Sequence, residues 1–177
     1  MSNDNSTPRP RAVVSAIIER DFDGVLKVFV QTRWKPENSP TYLGVLEIPA
    51  GGIDGYEDVY VAVTREVKEE TGLDVVEFLD DKEKTGPMTN RPGDVSQAFR
   101  PFLCQQMLES NGGLPWVGFV FRCRVTGEPV KETDESRDLR WMTIPELERF
   151  MKEKPEEVFG LQYSTLTYYI NWHKNNN

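Results

Sequence analysis

Two early stretches concentrate apolar and β-branched residues, AVVSAIIER (Ala12 to Arg20) and VLKVFVQTR (Val25 to Arg33). Their pattern predicts two strands, and the DFDG between them predicts a hairpin turn in which Gly24 takes a positive φ. The polar WKPENSPTYLG breaks the pattern and reads as a loop. LEIP then reads as a short strand that stops at Pro49, whose missing N–H cannot serve a central ladder. Glu57 to Thr71 reads as a helix closed by Gly72, the residue favoured just past a helix end. Further on, LDVVEFL predicts a strand and DKEKTGPMTNRPGD a long polar loop. SQAFRPFLCQQML and PWVGFVFRCRV predict two longer strands joined through ESNGGL. After the loop TGEPVKETDES comes a short strand, RDLRWM. Thr143 with Glu146 three residues later forms a capping-box pattern that opens the helix PELERFMKE, and a last helix is expected from Phe159 to Trp172. Residues 1–10, rich in Ser, Asn and Pro, read as a disordered arm, and 11–173 as one domain. With no internal repeat and no clear linker, the class is α+β, a mixed sheet with few helices.

Composition narrows the function. A chain of 177 residues with 38% hydrophobic positions can bury one proper core. No apolar run approaches the roughly 20 residues that span a bilayer, so no membrane partner is expected. MSNDNSTPRPR lacks the apolar segment of a secretory signal, so a cytoplasmic location is expected. A net charge of −8 argues against a nucleic-acid surface, although a phosphorylated small molecule remains open if arginines or a bound cation help locally. His173, the single histidine, lies near the chain end, which disfavours histidine catalysis and a histidine zinc site. Cys104 and Cys123 have no metal-ligand spacing and are expected to be reduced.

The decisive stretch is AGGIDGYEDVYVAVTREVKEETGL, Ala50 to Leu73. On a helical wheel with Glu66 at zero, Glu70 falls at about 40° and Glu69 at about 60° on the other side. Val59, Val63 and Val67 fall at about 20°, 60° and 100°, so the glutamates lie in or beside the apolar stripe. That face must turn toward the protein body, and a merely solvated cluster would sit opposite the valines, where Lys68 and Glu57 fall. Carboxylates converging there repel one another. Either they bind a divalent cation, or some have raised pKa values and act as acids or bases. Oxygen ligands without Cys or His select hard cations, Mg²⁺ or Mn²⁺.

Gly51, then Glu57, then REVKEETGL from Arg65 to Leu73 resembles the Nudix box in every fixed position. The strand order and the late helix after RDLRWMTIPEL are also similar to the Nudix fold, a mixed sheet packed between helices as an α/β/α sandwich. The resemblance implies an Mg²⁺-dependent hydrolase, with Mn²⁺ an acceptable substitute, that splits a diphosphate linkage in a nucleoside diphosphate joined to another group. It implies Glu66, Glu69 and Glu70 as metal ligands, with the Ala50 carbonyl as a backbone ligand. Glu57 and Arg65 would form the ion pair that braces the loop against the helix, and Gly51 the tight turn beside the metal.

LEIPAGGI, with Glu47, resembles a run in ADP-ribose and nucleotide-sugar pyrophosphatases, and QTR carries their strand arginine at Arg33. DESRDL resembles the loop from which some of them supply a catalytic glutamate, here Glu135. Glu132, Asp134 and the box residue Glu69 are its rivals for the general base. The proline those enzymes carry after the box is not matched by Pro87 or Pro92. Nucleoside triphosphate cleaners share much of the box, and a ligand-sensing module without turnover is the reading from another class. Trp34 could stack on a base or pack on the surface. Trp116, Phe119 and Phe121 alternate as core residues, and Tyr163, Tyr168, Tyr169 and Trp172 read as core cover. A homodimer through the N-terminal strand is compatible with the resemblance.

Overall fold

The computed structural model describes residues 9–37, 40–110 and 113–176. The chain opens with β1 (Arg11–Phe22) and β2 (Val25–Arg33), antiparallel with Phe22 opposite Val25. Asp23 and Gly24 make the turn with φ of 54° and 84°, the left-handed pair that a two-residue hairpin demands. Pro49 does more than stop a strand. Before it, β3 (Leu46–Glu47) pairs with β2; after it, β4 (Ala50–Gly52) pairs with β1. The Pro49 carbonyl accepts from the Ala16 N–H at 2.9 Å at the switch, where no proline N–H is needed.

Helix α1 spans Val59–Thr71, two residues shorter at its start than the sequence pattern suggests. Asp58 is the cap: its carboxylate accepts from the N–H groups of Tyr60 and Val61, and Glu57 stays in the preceding loop. Gly72 ends the helix at φ 76°, where a Cβ would come within 2.6 Å of the Val130 side chain. The chain continues through β5 (Asp74–Phe78), β6 (Met88–Arg91), β7 (Asp94–Ser96), β8 (Leu103–Gln106), β9 (Trp116–Thr126) and β10 (Ser136–Thr143). Helices α2 (Ile144–Glu153) and α3 (Gly160–Asn176) close it, α2 opened by the expected Thr143–Glu146 capping box.

The sheet runs β10-β2-β1-β9-β5; β1 and β9 are parallel and the other pairs antiparallel. Strand parity sorts its side chains. Val14, Ala16, Ile18 and Phe29 pack with Val59, Ala62, Val63 and Val67 of α1. Ile17, Val28 and Val30 pack on the other face with Leu147 and Met151 of α2 and Leu166 and Tyr169 of α3. Each fully buried aliphatic side chain contributes roughly 1.5–3 kcal/mol. The result is the expected mixed sheet between helices.

Two expectations change. The polar segment 81–94 is not all loop, because β6 and β7 pair with each other as a separate hairpin. SQAFRPFLCQQML is not one long strand: only Leu103–Gln106 joins the sheet, since Pro101 has no N–H and the Arg100 N–H donates to Asp81 at 2.6 Å. Strand β1 is central, with β9 on one edge and β2 and β4 on the other. The disordered arm assigned to residues 1–10 lies mostly outside the described residues. Of the C-terminal aromatics, Tyr169 is buried, whereas Tyr163 and Tyr168 are exposed. Both cysteines are free, Cys104 exposed and Cys123 buried. No described helix is long and apolar enough to cross a membrane.

Candidate active site

The carboxylates of α1 reach the protein body through its last two turns. Glu66 and Glu70 are buried, while the Glu69 side chain is 60% exposed at the rim. All three line a cleft of about 460 Å³ with Lys35, Gly51, Gly52, Thr133, Asp134 and Glu135. Gly51 is needed for space, because a Cβ there would stand 2.0 Å from the Glu66 carboxyl.

Each carboxylate is held by named donors. Glu70 Oε2 accepts from Gln31 Nε2 at 2.8 Å and from the Ala50 N–H at 3.2 Å, and Oε1 from Lys35 Nζ at 2.9 Å. Arg65 donates to both Glu57 oxygens at 2.9 Å, to Glu66 at 2.6 Å, to Glu69 at 3.3 Å and to the Gly52 carbonyl at 3.0 Å. The loop before α1 and the helix are thereby tied by one guanidinium. As they stand, no three acidic side chains among the described residues converge on one point. Arg65 draws Glu66 and Glu69 one way, and Lys35 draws Glu70 another.

The electrostatics follow from burial. Desolvation pushes the Glu70 carboxyl up to about 7, against the pull of Lys35 and with the push of Glu47. Glu66 and Glu47 are likewise raised, chiefly by burial, although arginines oppose it. Glu57 is the opposite case: hydrogen bonds from Arg65 hold it down at about 2. Lys35 is partly desolvated, yet Glu70 and Glu135 outweigh that and raise it. Burial favours the neutral form of Glu135, but its bond to Lys35 prevails and lowers it.

Two recesses open from the cleft. One, of about 250 Å³, is lined by Arg33, Glu47, Gln105, Trp116, Phe159 and Gln162. There Arg33 donates to Glu47 at 2.9 Å and lies 4.9 Å above the Phe159 ring. The other, of about 380 Å³, is lined by Trp34, Pro36, Glu37, Asp134, Glu135 and Arg137. Lys35 borders the cleft and both recesses.

The profile of the NUDIX domain matches residues 9–161, most of the chain. The chain belongs to the NUDIX domain family. A NUDIX hydrolase from Nitrosomonas europaea is 19% identical over 96% of this chain and 92% of its own, with a TM-score of 0.62. The NUDIX domain of Shewanella oneidensis NrtR, complexed with ADP ribose, is 14% identical (84% and 82% covered, TM-score 0.58). An Ap4A hydrolase from C. elegans, in a binary complex, is 12% identical (92% and 98% covered, TM-score 0.55). No curated protein matches the chain. Family and hydrolase neighbours together support a pyrophosphatase-type hydrolase.

NUDIX enzymes generally use divalent metals such as Mg²⁺. The residues here fit one: the donors are all carboxylate oxygens, their charge exceeds that of Lys35 and Arg65, and Gly51 leaves Glu66 room. Within the NUDIX frame, the other expected residues divide. Ala50 contacts Glu70 through its N–H and borders the first recess. Arg33 and Glu47 lie together in that recess, whereas Trp34 lies in the second, under the Arg137 guanidinium at 5.6 Å. Glu135 is already at the cleft: Lys35 bonds it, and its carbonyl accepts from the Trp34 N–H at 2.7 Å. Ser136 anchors the Glu135 loop by donating to the Glu70 carbonyl at 2.7 Å. Glu132 turns away to Arg137 at 3.3 Å.

Sequence reasoning missed Lys35, Gln31 and Trp116. Lys35 sits in a stretch read as plain loop, and Gln31 in a strand valued for its arginine. Trp116 was assigned to the core by alternation, yet it lines the first recess at the start of β9.

Proposed function

We propose that the chain is an Mg²⁺-dependent pyrophosphohydrolase that cleaves the diphosphate linkage of a nucleoside diphosphate joined to a second group, with ADP-ribose or a nucleotide sugar as the substrate class. The observation that carries it is the carboxylate cleft between two recesses. A substrate with a group on each side of its diphosphate fills all three, whereas a nucleoside triphosphate fills one recess and the cleft. The Shewanella domain holds ADP ribose, which supports the reading, and the C. elegans neighbour acts on Ap4A, which also carries a group at each end.

Glu66, Glu69 and Glu70 would hold the cation. When bound, Mg²⁺ offsets phosphate charge and acidifies water. The chain's own residues supply the rest. Arg33, with its Nε buried and unpartnered among the described residues, offers a donor to the nucleoside side, and Trp116 offers an aromatic face. Glu135, ionised at neutral pH and lying outside the box sequence, accepts the proton of the attacking water at its carboxylate oxygen. The electron pair of the broken P–O bond leaves with the second phosphate.

The second reading is a house-cleaning (d)NTP pyrophosphatase; a sensing module without turnover stands further off, since all three box glutamates are present. The test is a side-by-side screen with Mg²⁺ of ADP-ribose, nucleotide sugars, dinucleoside polyphosphates and dNTPs. The expected result is that ADP-ribose or a nucleotide sugar is cleaved to two monophosphates faster than any dNTP. A tenfold advantage in kcat/KM for a dNTP hands the site to the second reading, and no turnover at all to the third.

A further inference from the structure

The cleft contains a cation of its own. We propose that Lys35 is an exchangeable counter-charge, which holds Glu70 and Glu135 together in the metal-free protein and passes to a phosphate oxygen of the substrate when a divalent cation takes the carboxylates. This rests on the reading of Glu66, Glu69 and Glu70 as metal ligands.

Glu70 is held by two kinds of donor. Its Oε2 is held by Gln31, fully buried on β2, and by the Ala50 backbone N–H. The backbone N–H is fixed by its strand, and the glutamine amide is enclosed in the core. Glu70 Oε1 is held by Lys35 Nζ at 2.9 Å, at the end of a flexible four-carbon stem just past the end of β2. A cation that binds Glu70 can therefore gain Oε1 only from Lys35. Once a dication is there, the ammonium faces repulsion where it previously had attraction, and it must move.

The structure also gives it somewhere to go. Lys35 borders the cleft and both recesses, so a diphosphate lying across the cleft with a group in each recess passes its ammonium. The other cations near the path each have a partner outside the cleft. Arg65 is bound by Glu57 as well as by Glu66, Glu69 and the Gly52 carbonyl, Arg33 by Glu47, and Arg137 by Glu132. Among the described residues, Lys35 alone of these four forms its ion pairs only with cleft residues, Glu70 and Glu135. Its departure also frees Glu135 at the moment substrate arrives, which couples metal entry to release of the proton acceptor.

The experiment measures Mn²⁺ affinity of the metal-free full chain by the EPR signal of free Mn²⁺, for wild type, Lys35→Met, Lys35→Arg and Glu66→Gln. Removing the competitor should tighten Mn²⁺ binding at least tenfold in Lys35→Met, leave it within threefold in Lys35→Arg, and raise KM for ADP-ribose at least tenfold in Lys35→Met at saturating metal. An unchanged or weaker Mn²⁺ affinity in Lys35→Met overturns the exchange while leaving the metal site standing. No Mn²⁺ binding by wild type overturns both, and equal binding by Glu66→Gln and wild type points to a cation held outside the cleft and likewise overturns both. Should Lys35→Met not fold, the ¹⁵Nζ resonance of Lys35 in the wild type decides: it must shift on Mg²⁺ addition, and a resonance that stays put while Mg²⁺ binds refutes the proposal.

Discussion

Two buried polar clusters lie on opposite faces of the sheet, and they are built by opposite rules. On the α3 side, Arg122 donates to Asp80 at 2.8 and 3.0 Å and to Glu19 at 3.3 Å, Tyr169 donates to Glu19 at 2.9 Å, and the guanidinium lies 3.9 Å from the Trp172 ring. The donors are matched, and charge is close to balance. On the α1 side, six carboxylates, Glu47, Glu57, Glu66, Glu69, Glu70 and Glu135, share the three cations Arg33, Lys35 and Arg65, and Gln31 Oε1 and Arg33 Nε have no partner among the described residues. A satisfied cluster stabilises the fold. An unsatisfied one is a cost carried by the fold, and it marks where something else binds.

Breaking the two clusters should therefore give opposite phenotypes. Glu135→Gln on the α1 side should lower kcat by about 10²–10⁴, while Glu132→Gln and Asp134→Asn do little; urea unfolding should shift by no more than about 1 kcal/mol because the group is half exposed. Equal small losses in all three would return the base to Glu69. Arg122→Met should do the reverse, costing roughly 3–5 kcal/mol of stability because Glu19 stays buried without its partner. Its kcat should be unchanged where it remains folded. A mild stability effect would mean the α3 cluster is less interdependent than its geometry.

Acidity sharpens the contrast. Glu70 titrates near 7 in the folded chain against 4.5 for an ordinary glutamate, so the folded state holds its proton more tightly. That stabilisation is fully present below about pH 4.5 and is lost as pH rises through about 7, on the order of 3 kcal/mol in all. Urea melts with chelator, wild type against Glu70→Gln, should diverge over that window and run parallel above it. A flat difference would place Glu70 in contact with water. At neutral pH the same variant should turn over a hundredfold or more slowly, with stability equal or higher. Arg65→Ala mixes both phenotypes: about 1–2 kcal/mol of stability lost from the unpaired Glu57, and a fall in rate as Glu66 loses its support. Melts indistinguishable from the parent would show that the brace carries no weight.

What the sequence disclosed follows the same division. Local signals read through: the Asp23–Gly24 turn, the Asp58-to-Gly72 helix apart from its first turn, the Thr143–Glu146 box and the valine–glutamate face of α1 each depend on residues within a few positions of one another. The hairpin of β6 and β7 was hidden because its residues are all exposed, so no apolar period marks it. Gln31 and Lys35 were hidden for another reason. Their partners lie 39 and 35 positions away, and nothing in the neighbouring residues announces a glutamine or lysine aimed at a distant carboxylate. The inward turn of the glutamates was legible; the cations that restrain them were not.

The bond from Ser136 to the Glu70 carbonyl spans 66 positions, and the parallel pairing of β1 with β9 joins residues roughly a hundred apart. Contacts so distant along the chain carry a large loop-closure entropy, which must be lost before the contacts repay it. Helix α1 can wind early from local signals, but the cleft does not exist until β10 docks behind it. A nascent or nicked chain that presents the glutamates without β10 holds negative charge and little else. The cleft is therefore complete only in the fully paired sheet, and its integrity depends on segments far apart in the chain.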